Sequence, residues 1–310
     1  MKQRIKRIIR AVLPDFVLNF LLPYYRKVRL LTLWIEVQIK YMLNMPLKAK
    51  HTKAYFEIHI VEHCNLNCKS CNNFSCIAEP EFIDVEEFRR DFARMGELFS
   101  HECDRIYLLG GEPLLHPQIN QIVSTARECF TDGNIYVFTN GILLAGMSDD
   151  FWQTCHNSKA GILISAYPIT IDMEKINSQA CKFDVDCRYA WGQNKGERNK
   201  FSISPINLKG NSNISLNFYM CGSGNNCIVL SHGRLYTCVF AAHVHHFNKR
   251  FGTDIKITDA DSVNIYDDLT ADEIMTKMIQ PIPACRYCSR NKPPRLFEWG
   301  ITNKEITEWL

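Results

Sequence analysis

The chain has 310 residues, 14 of them cysteine, and a formal net charge of +3. That length buries a large core and suits one barrel-sized domain with a small appendage. No apolar run is long enough to span a bilayer, the cysteines lack the spacing of a small secreted scaffold, and no nucleic-acid-binding motif is present. Free thiols in such number, without a recognisable signal peptide, point to a reducing cytoplasm.

Residues 1–50 stand apart. Eleven Lys and Arg accompany only Asp15 and Glu36 there, a local charge of +9 that leaves the remainder at −6. The region is rich in Ile, Leu, Val, Phe and Tyr, and Pro14, Asp15, Asn19 and Pro23 interrupt its best apolar run. A basic helical extension is expected, lying on an anionic membrane surface, docking an acidic partner, or packing on the body with its charged face in water. Nucleic acid is not expected as a partner, because the body is acidic.

From residue 54 strands alternate with helices, the pattern of a parallel sheet made of βα units. A strand at 55–61 is followed by a capping box at Asp84-Val-Glu-Glu87 and a helix whose apolar stripe is Phe88, Phe92, Met95 and Phe99. Strand two is expected near 105–109, a helix near 118–129, strand three at 134–139 and a helix near 150–157. Strand four falls at 161–165, a helix at 173–181, an extended stretch at 183–189 and a last strand at 214–219.

The first strand runs into Glu62-His63-Cys64-Asn65-Leu66-Asn67-Cys68-Lys69-Ser70-Cys71. Three thiolates on one loop can hold three irons of a four-iron, four-sulfur cluster, leaving the fourth iron open to a small molecule. Zinc binding is the other reading of such a triad. Strand two ends in Gly110-Gly111-Glu112-Pro113, where two glycines allow close approach of backbone to a ligand and a carboxylate can accept from an ammonium group. An ordinary strand-to-helix turn would look the same.

After residue 220 the chain becomes loop-rich. Cys221 and Cys227 precede a hairpin at 228–238 with Gly233 at its turn, and Cys285-Arg-Tyr-Cys288 follows later. Four such cysteines suit a zinc tetrahedron as well as an iron–sulfur cluster. His243, His245 and His246 fall on a helix at 240–249 and read as partly exposed helix residues, not ligands. Cys103, Cys129, Cys155 and Cys181 read as small buried apolar residues. Capping boxes at Thr270-Ala-Asp-Glu273 and Thr302-Asn-Lys-Glu305 predict two further helices.

The Cys-x3-Cys-x2-Cys spacing of Cys64, Cys68 and Cys71, with Gly110-Gly111-Glu112-Pro113 one strand later, resembles the radical S-adenosylmethionine (radical SAM) enzymes. The resemblance runs from about residue 54 onward. It implies an α/β fold, an open partial (β/α)6 barrel over 51–219, with a helical extension at 1–50 and a loop-rich cluster-binding domain at 220–310. Active sites of such barrels lie at the C-terminal strand ends. There the resemblance implies SAM chelated to the open iron, with Gly110, Gly111 and Glu112 at its amino end and Thr139, Asn140 and Ser165 as further cofactor-binding positions. A reductase such as flavodoxin or ferredoxin would supply one electron, and the resulting 5′-deoxyadenosyl radical would take a hydrogen atom from substrate. An aromatic residue common before the third cysteine, near the adenine, is Ser70 here; Phe74 is its candidate substitute.

The later cysteines resemble the twitch and SPASM auxiliary modules of the same family. They imply one auxiliary [4Fe-4S] cluster on Cys221, Cys238, Cys285 and Cys288, with zinc as the alternative. Cys227 would replace Cys221 or remain a free thiol, able to return a hydrogen atom in an epimerisation. The runs 78–82 and 110–117, with the Trp299-Gly300 to Glu308-Trp309 tail, resemble radical SAM proteins associated with surface-polysaccharide synthesis. A small-molecule or glycan substrate, oxidised or epimerised, is therefore expected, with a peripheral place at the inner membrane surface. Radical modification of a ribosomally made peptide, and a non-catalytic iron–sulfur scaffold or redox module, are the other expectations.

Overall fold

A computed structural model describes residues 15–50, 53–99 and 101–310. They fall into two compact units that divide between Leu47 and Lys48. In the first unit the described residues form helix α1 (Asp15–Met42), which contains Pro23 and exposes Phe20, Tyr24, Val28, Leu31 and Trp34. Residues 1–14 of the expected extension lie outside the described residues. No described helix is long and apolar enough to cross a membrane.

The second unit is built on one sheet. Strand β1 (Ala54–Val61), helix α2 (Val85–Phe99), β2 (Cys103–Gly110), α3 (Ile119–Cys129), β3 (Asn134–Thr139), α4 (Asp149–Asn157), β4 (Ala160–Ile164), α5 (Met173–Lys182) and β5 (Cys187–Tyr189) alternate as the periodicity predicts. A short β6 (Lys200–Ile203) leaves this sheet, and helix α6 (Ile214–Met220) precedes the hairpin β7 (Ile228–Ser231) and β8 (Arg234–Tyr236). Helix α7 (Val239–Phe251), β9 (Ser262–Asn264), helix α8 (Ala271–Met278) and β10 (Arg295–Glu298) complete the order. The sheet order is β5-β4-β3-β2-β1-β7-β8-β9, and β10 pairs antiparallel with β6 in a separate ribbon.

Six strands of the large sheet are parallel. Five follow chain order, and the sixth is β7, which joins beside β1 with Phe56 opposite Ile228 and Ile58 opposite Leu230. The segment 214–219, expected to be the last strand, is instead α6. Asn213 caps it by accepting from the Leu216 amide at 2.8 Å, and seven residues are too few for apolar spacing to separate strand from helix. The capping box at Thr270 forms as expected. That at Thr302 does not: the Thr302 hydroxyl turns to Glu308, and only a 3-10 turn at 306–308 follows.

Strand alternation sends Phe56, Ile58 and Ile60 into a core shared with α2 and α3, where Phe88 and Phe92 stack at 4.2 Å and Phe130 meets Phe92 edge-on. The opposite face of β1 carries Tyr55, Glu57 and His59, and Tyr55 leads through Tyr107 to Tyr136 with ring separations of 6.0 Å each. Helix α7 contradicts one expectation. Its turns bury His243 and His246, and only His245 is exposed, because the helix packs the side holding His243 against His59 of β1. Cys103 and Cys155 are buried as expected, whereas Cys181 is exposed on α5.

Phe92→Ala should cost about 3–5 kcal/mol of stability, the usual penalty for an emptied aromatic core site, read from the urea midpoint of cluster-free protein. A loss under about 1 kcal/mol would show that α2 is not seated on the sheet in solution.

Candidate functional site

Four strand ends are tied together by hydrogen bonds. Beyond β1, the Val61 carbonyl accepts from the Gly111 amide at 2.7 Å and the His63 carbonyl from the Glu112 amide at 3.1 Å. The Glu112 carboxylate accepts from the Thr139 hydroxyl at 2.6 Å and the Asn140 amide at 2.9 Å, joining the ends of β2 and β3. The Ser165 amide, just past β4, donates to the Thr139 carbonyl at 2.9 Å. Asn140 reaches back to the cysteine loop, its side chain donating to Asn65 at 2.8 Å with the Cys64 sulfur at 3.7 Å.

The glycines are needed for a reason other than a ligand. A Cβ on Gly110 would overlap the Val61 carbonyl and one on Gly111 the His63 carbonyl, and Gly110 has φ of +144°. The turn is thus fitted to the cysteine loop itself. Glu112 is buried beside the same turn. Its carboxyl is 0% exposed, pushed up to about 7 by burial against the bonds from Thr139, Asn140 and Leu114. Its oxygens hold the ends of β2 and β3 together beside the cysteine loop.

Cys64, Cys68 and Cys71 lie within electrostatic reach of one another. Burial first, and then neighbouring negative charge, pushes Cys64 up to about 12 and Cys68 up to about 11; burial also raises Cys71. Donors nonetheless point at the sulfurs: the Leu66 amide to Cys64 at 3.4 Å and the Trp299 indole to Cys68 at 3.2 Å, with backbone amides of 73–76 around Cys71. Crowded, half-buried thiols with N–H donors aimed at them fit an electron-rich metal cluster, whose cations would relieve the cost of ionising them.

Residues 299–310 close over this loop. Cys68 bridges Ile301, the Lys69 amide donates to Gly300, Ser70 donates to the Glu308 carbonyl at 2.7 Å, and the Trp309 indole donates to the Cys71 carbonyl at 3.0 Å. Phe74 is buried against Phe240, Phe247 and Trp309; it is a core residue and not the aromatic substitute for Ser70. Aromatic surface beside Cys68 comes from Tyr167 and Trp299. Arg198 lies over Tyr167, Trp191 and Phe201 at 5.0 to 5.4 Å and reaches the Ser165 hydroxyl at 3.4 Å. No local motif marks these residues, because their partners are distant in sequence.

The second group is assembled separately. Burial first, and then the charge of neighbouring thiols, Cys221 among them, pushes Cys238 up to about 11 and Cys285 up to about 12 and also raises Cys288. Asn217 on α6 donates to the carbonyls of Cys285 and Cys288 at 2.9 and 2.8 Å and accepts from the Arg290 amide at 3.0 Å. Lys48 donates to the carbonyls of Cys221 and Gly224. An all-sulfur donor set of four fits an iron–sulfur cluster or a zinc ion. Cys227 lies against β1, its sulfur 3.6 Å from the Tyr55 hydroxyl and beside Glu57, with Cys238 also within electrostatic reach. Because Tyr55 is at the start of β1 and Cys64 lies past its end, roughly 20 Å of strand separates Cys227 from the first loop.

Residues 58–165 match the Radical SAM superfamily. Molybdenum cofactor biosynthesis protein 1 of Bos taurus is 32% identical over 123 residues, 38% of this chain and 18% of that protein. GTP 3',8-cyclase of Chlorobaculum tepidum is 31% identical over 127 residues, 41% of this chain and 36% of that protein. The chain thus spans between 18% and 36% of the length of these relatives. Among solved structures, BtrN in complex with AdoMet and 2-DOIA aligns over 76% of this chain and 85% of its own, at a TM-score of 0.44 and 14% identity.

Gly111→Ala should displace the cysteine loop and sharply reduce iron bound after anaerobic reconstitution, because the new methyl occupies the place of the His63 carbonyl. Iron content equal to that of the parent chain would show that the turn does not abut the loop.

Glu57 supplies a pH dependence. Burial raises its carboxyl from 4.5 to about 7, so it favours the fold fully below about pH 4.5 and loses that contribution as pH rises through about 7. Relative to Glu57→Gln, the parent chain's urea stability should fall across that window and level off above it. A constant difference would mean that the carboxyl is solvated.

Proposed function

We propose that this chain, whose residues 58–165 are a radical SAM domain, is an enzyme that binds SAM at a [4Fe-4S] cluster held by Cys64, Cys68 and Cys71. When bound and reduced by one electron, that pair of cofactors supplies a 5′-deoxyadenosyl radical. The observation that carries the reading is the chain of hydrogen bonds from the cysteine loop through Gly111, Glu112, Thr139 and Asn140. It ties the first part of the cysteine loop, with Cys64, to the ends of β2 and β3; in this reading the three thiols hold three irons and SAM takes the fourth. Residues 299–310 shield the loop from water, and Tyr167, Trp299 and the Arg198 guanidinium offer flat surfaces to a purine.

The substrate in this reading is a carbohydrate whose ring carbon loses a hydrogen atom, leading to oxidation or epimerisation. The face of β1 to β3 between the two cysteine groups supports it, presenting the Tyr55, Tyr107 and Tyr136 rings with the Glu57 carboxyl, a mixture of flat apolar surface and hydroxyl partners. Cys227, pushed up to about 12 by burial and Glu57, keeps its proton at neutral pH and so can give a hydrogen atom as a thiol. Residues 220–310 form the auxiliary region of the proposal, with an iron–sulfur cluster on Cys221, Cys238, Cys285 and Cys288, although β7 ties that region into the sheet of 51–219. A flavodoxin or ferredoxin is the proposed electron donor. The exposed apolar side chains of α1, with the basic charge of residues 1–50, support peripheral contact with an anionic membrane from the cytoplasmic side.

Anaerobically reconstituted protein given dithionite and SAM should release 5′-deoxyadenosine, and Cys64→Ala should abolish that release and lower iron by about four atoms per chain. Cys227→Ser should keep the release yet lose return of solvent deuterium to an epimerised sugar. Protein with a full iron complement and no 5′-deoxyadenosine would identify a scaffold and end the enzymatic reading.

A further inference from the structure

Between the two cysteine groups lies a cluster of a different chemistry. His59 points from β1 to the face opposite the helix-packed core, and its ring stacks on that of His243 at 3.8 Å with 20° between planes. Glu62, one residue past the strand, accepts through one oxygen, Oε2, from His243 Nδ1 at 3.0 Å and His246 Nε2 at 2.7 Å. His243 and His246 are three apart on α7 and so share a side of the helix. All four groups are buried or nearly so.

Hydrogen bonding does not satisfy this cluster. Neither ring nitrogen of His59 has a partner, and His243 Nε2 has none, although all three atoms are buried. Burying a polar atom with no partner is unfavourable, and a water can serve only where several polar partners surround it. The potential ligand atoms of His59, Glu62 and His243 lie within 4.8 Å of one another.

We infer that His59, Glu62 and His243 bind a divalent transition-metal ion, distinct from either cysteine group. Two imidazoles and one carboxylate form a nitrogen–oxygen donor set, which borderline ions such as zinc and iron(II) accept, and three protein ligands leave positions for water or a substrate oxygen. His246 remains on the carboxylate and orients it, as outer partners of metal ligands do. Glu62, His245 and His246 are also within 4.8 Å, but His245 is exposed and no orphaned atom there calls for an ion. The ion would sit on the face that carries Tyr55 and Glu57, where it could bind a hydroxyl or carboxylate of a polar substrate. The site does not depend on the radical reading, since it uses none of the cysteines.

The test is zinc binding by the full chain, its clusters reconstituted, after dialysis against zinc and then a weak chelator. Retained zinc and iron are counted, and the zinc shell is read by X-ray absorption. About one zinc per chain in a shell containing imidazole is expected, lost in His59→Ala and in His243→Gln with iron unchanged, and kept in His245→Ala. No retained zinc, a shell of sulfur alone, or zinc undiminished in both variants would overturn the site. Should both variants lose iron as well, the spectrum of the parent chain decides: imidazole ligation supports the site and sulfur-only ligation removes it. Release of 5′-deoxyadenosine, measured on the same samples, reports separately on the radical reading.

Discussion

A single buried carboxylate organises the end of the sheet. Glu112 has no exposed surface, and its oxygens gather the Thr139 hydroxyl and the amides of Asn140 and Leu114. Removing a carboxylate from water is expensive unless every lone pair is used, and the upward push on this group shows that desolvation outweighs its bonds. That cost is concentrated where β2 and β3 must be held in register beside the cysteine loop. Gly110 and Gly111 serve the same end, since only a bare backbone lets the turn lie against Val61 and His63. Cys64 is placed through main-chain and side-chain bonds of this kind, whereas Cys71 packs on the cluster of Phe74, Phe247 and Trp309.

The second cysteine group obeys another logic. Asn217 makes three bonds from one side-chain amide, to Cys285, Cys288 and Arg290, and α6 exists to present it. Strand β7, which follows Cys227, pairs with the start of β1, while Cys64 follows its end. Cys227 and the first cysteine loop are therefore separated by about the length of one strand. Glu57, His59 and Tyr55, which alternate along that strand away from the core, are the side chains that any molecule lying between the groups would meet.

Much of this was legible in the sequence. The alternation of β1 to β5 with their helices follows the apolar periodicity of the chain closely, and the cysteine triad, the Gly-Gly-Glu turn and the Thr139-Asn140 pair fall at the ends of adjacent strands. Three things were not legible. The segment 214–219 spaces its apolar residues equally well for strand and helix, and only the Asn213 cap decides. His243 and His246 read as solvated because polarity along α7 does not say what the opposing β1 face offers, and there it offers His59 and Glu62. Trp299 and Trp309 reach Cys68 and the Cys71 carbonyl from 231 and 238 residues away, a distance over which spacing carries no information.

The closure of residues 299–310 over the cysteine loop also orders events in the life of the chain. The loop emerges early in translation, yet the segment that covers it is made more than 200 residues later. A nascent chain therefore presents Cys64, Cys68 and Cys71 uncovered for as long as synthesis lasts. Until residues 299–310 dock, Trp299 and Trp309 are not yet in place beside Cys68 and the Cys71 carbonyl.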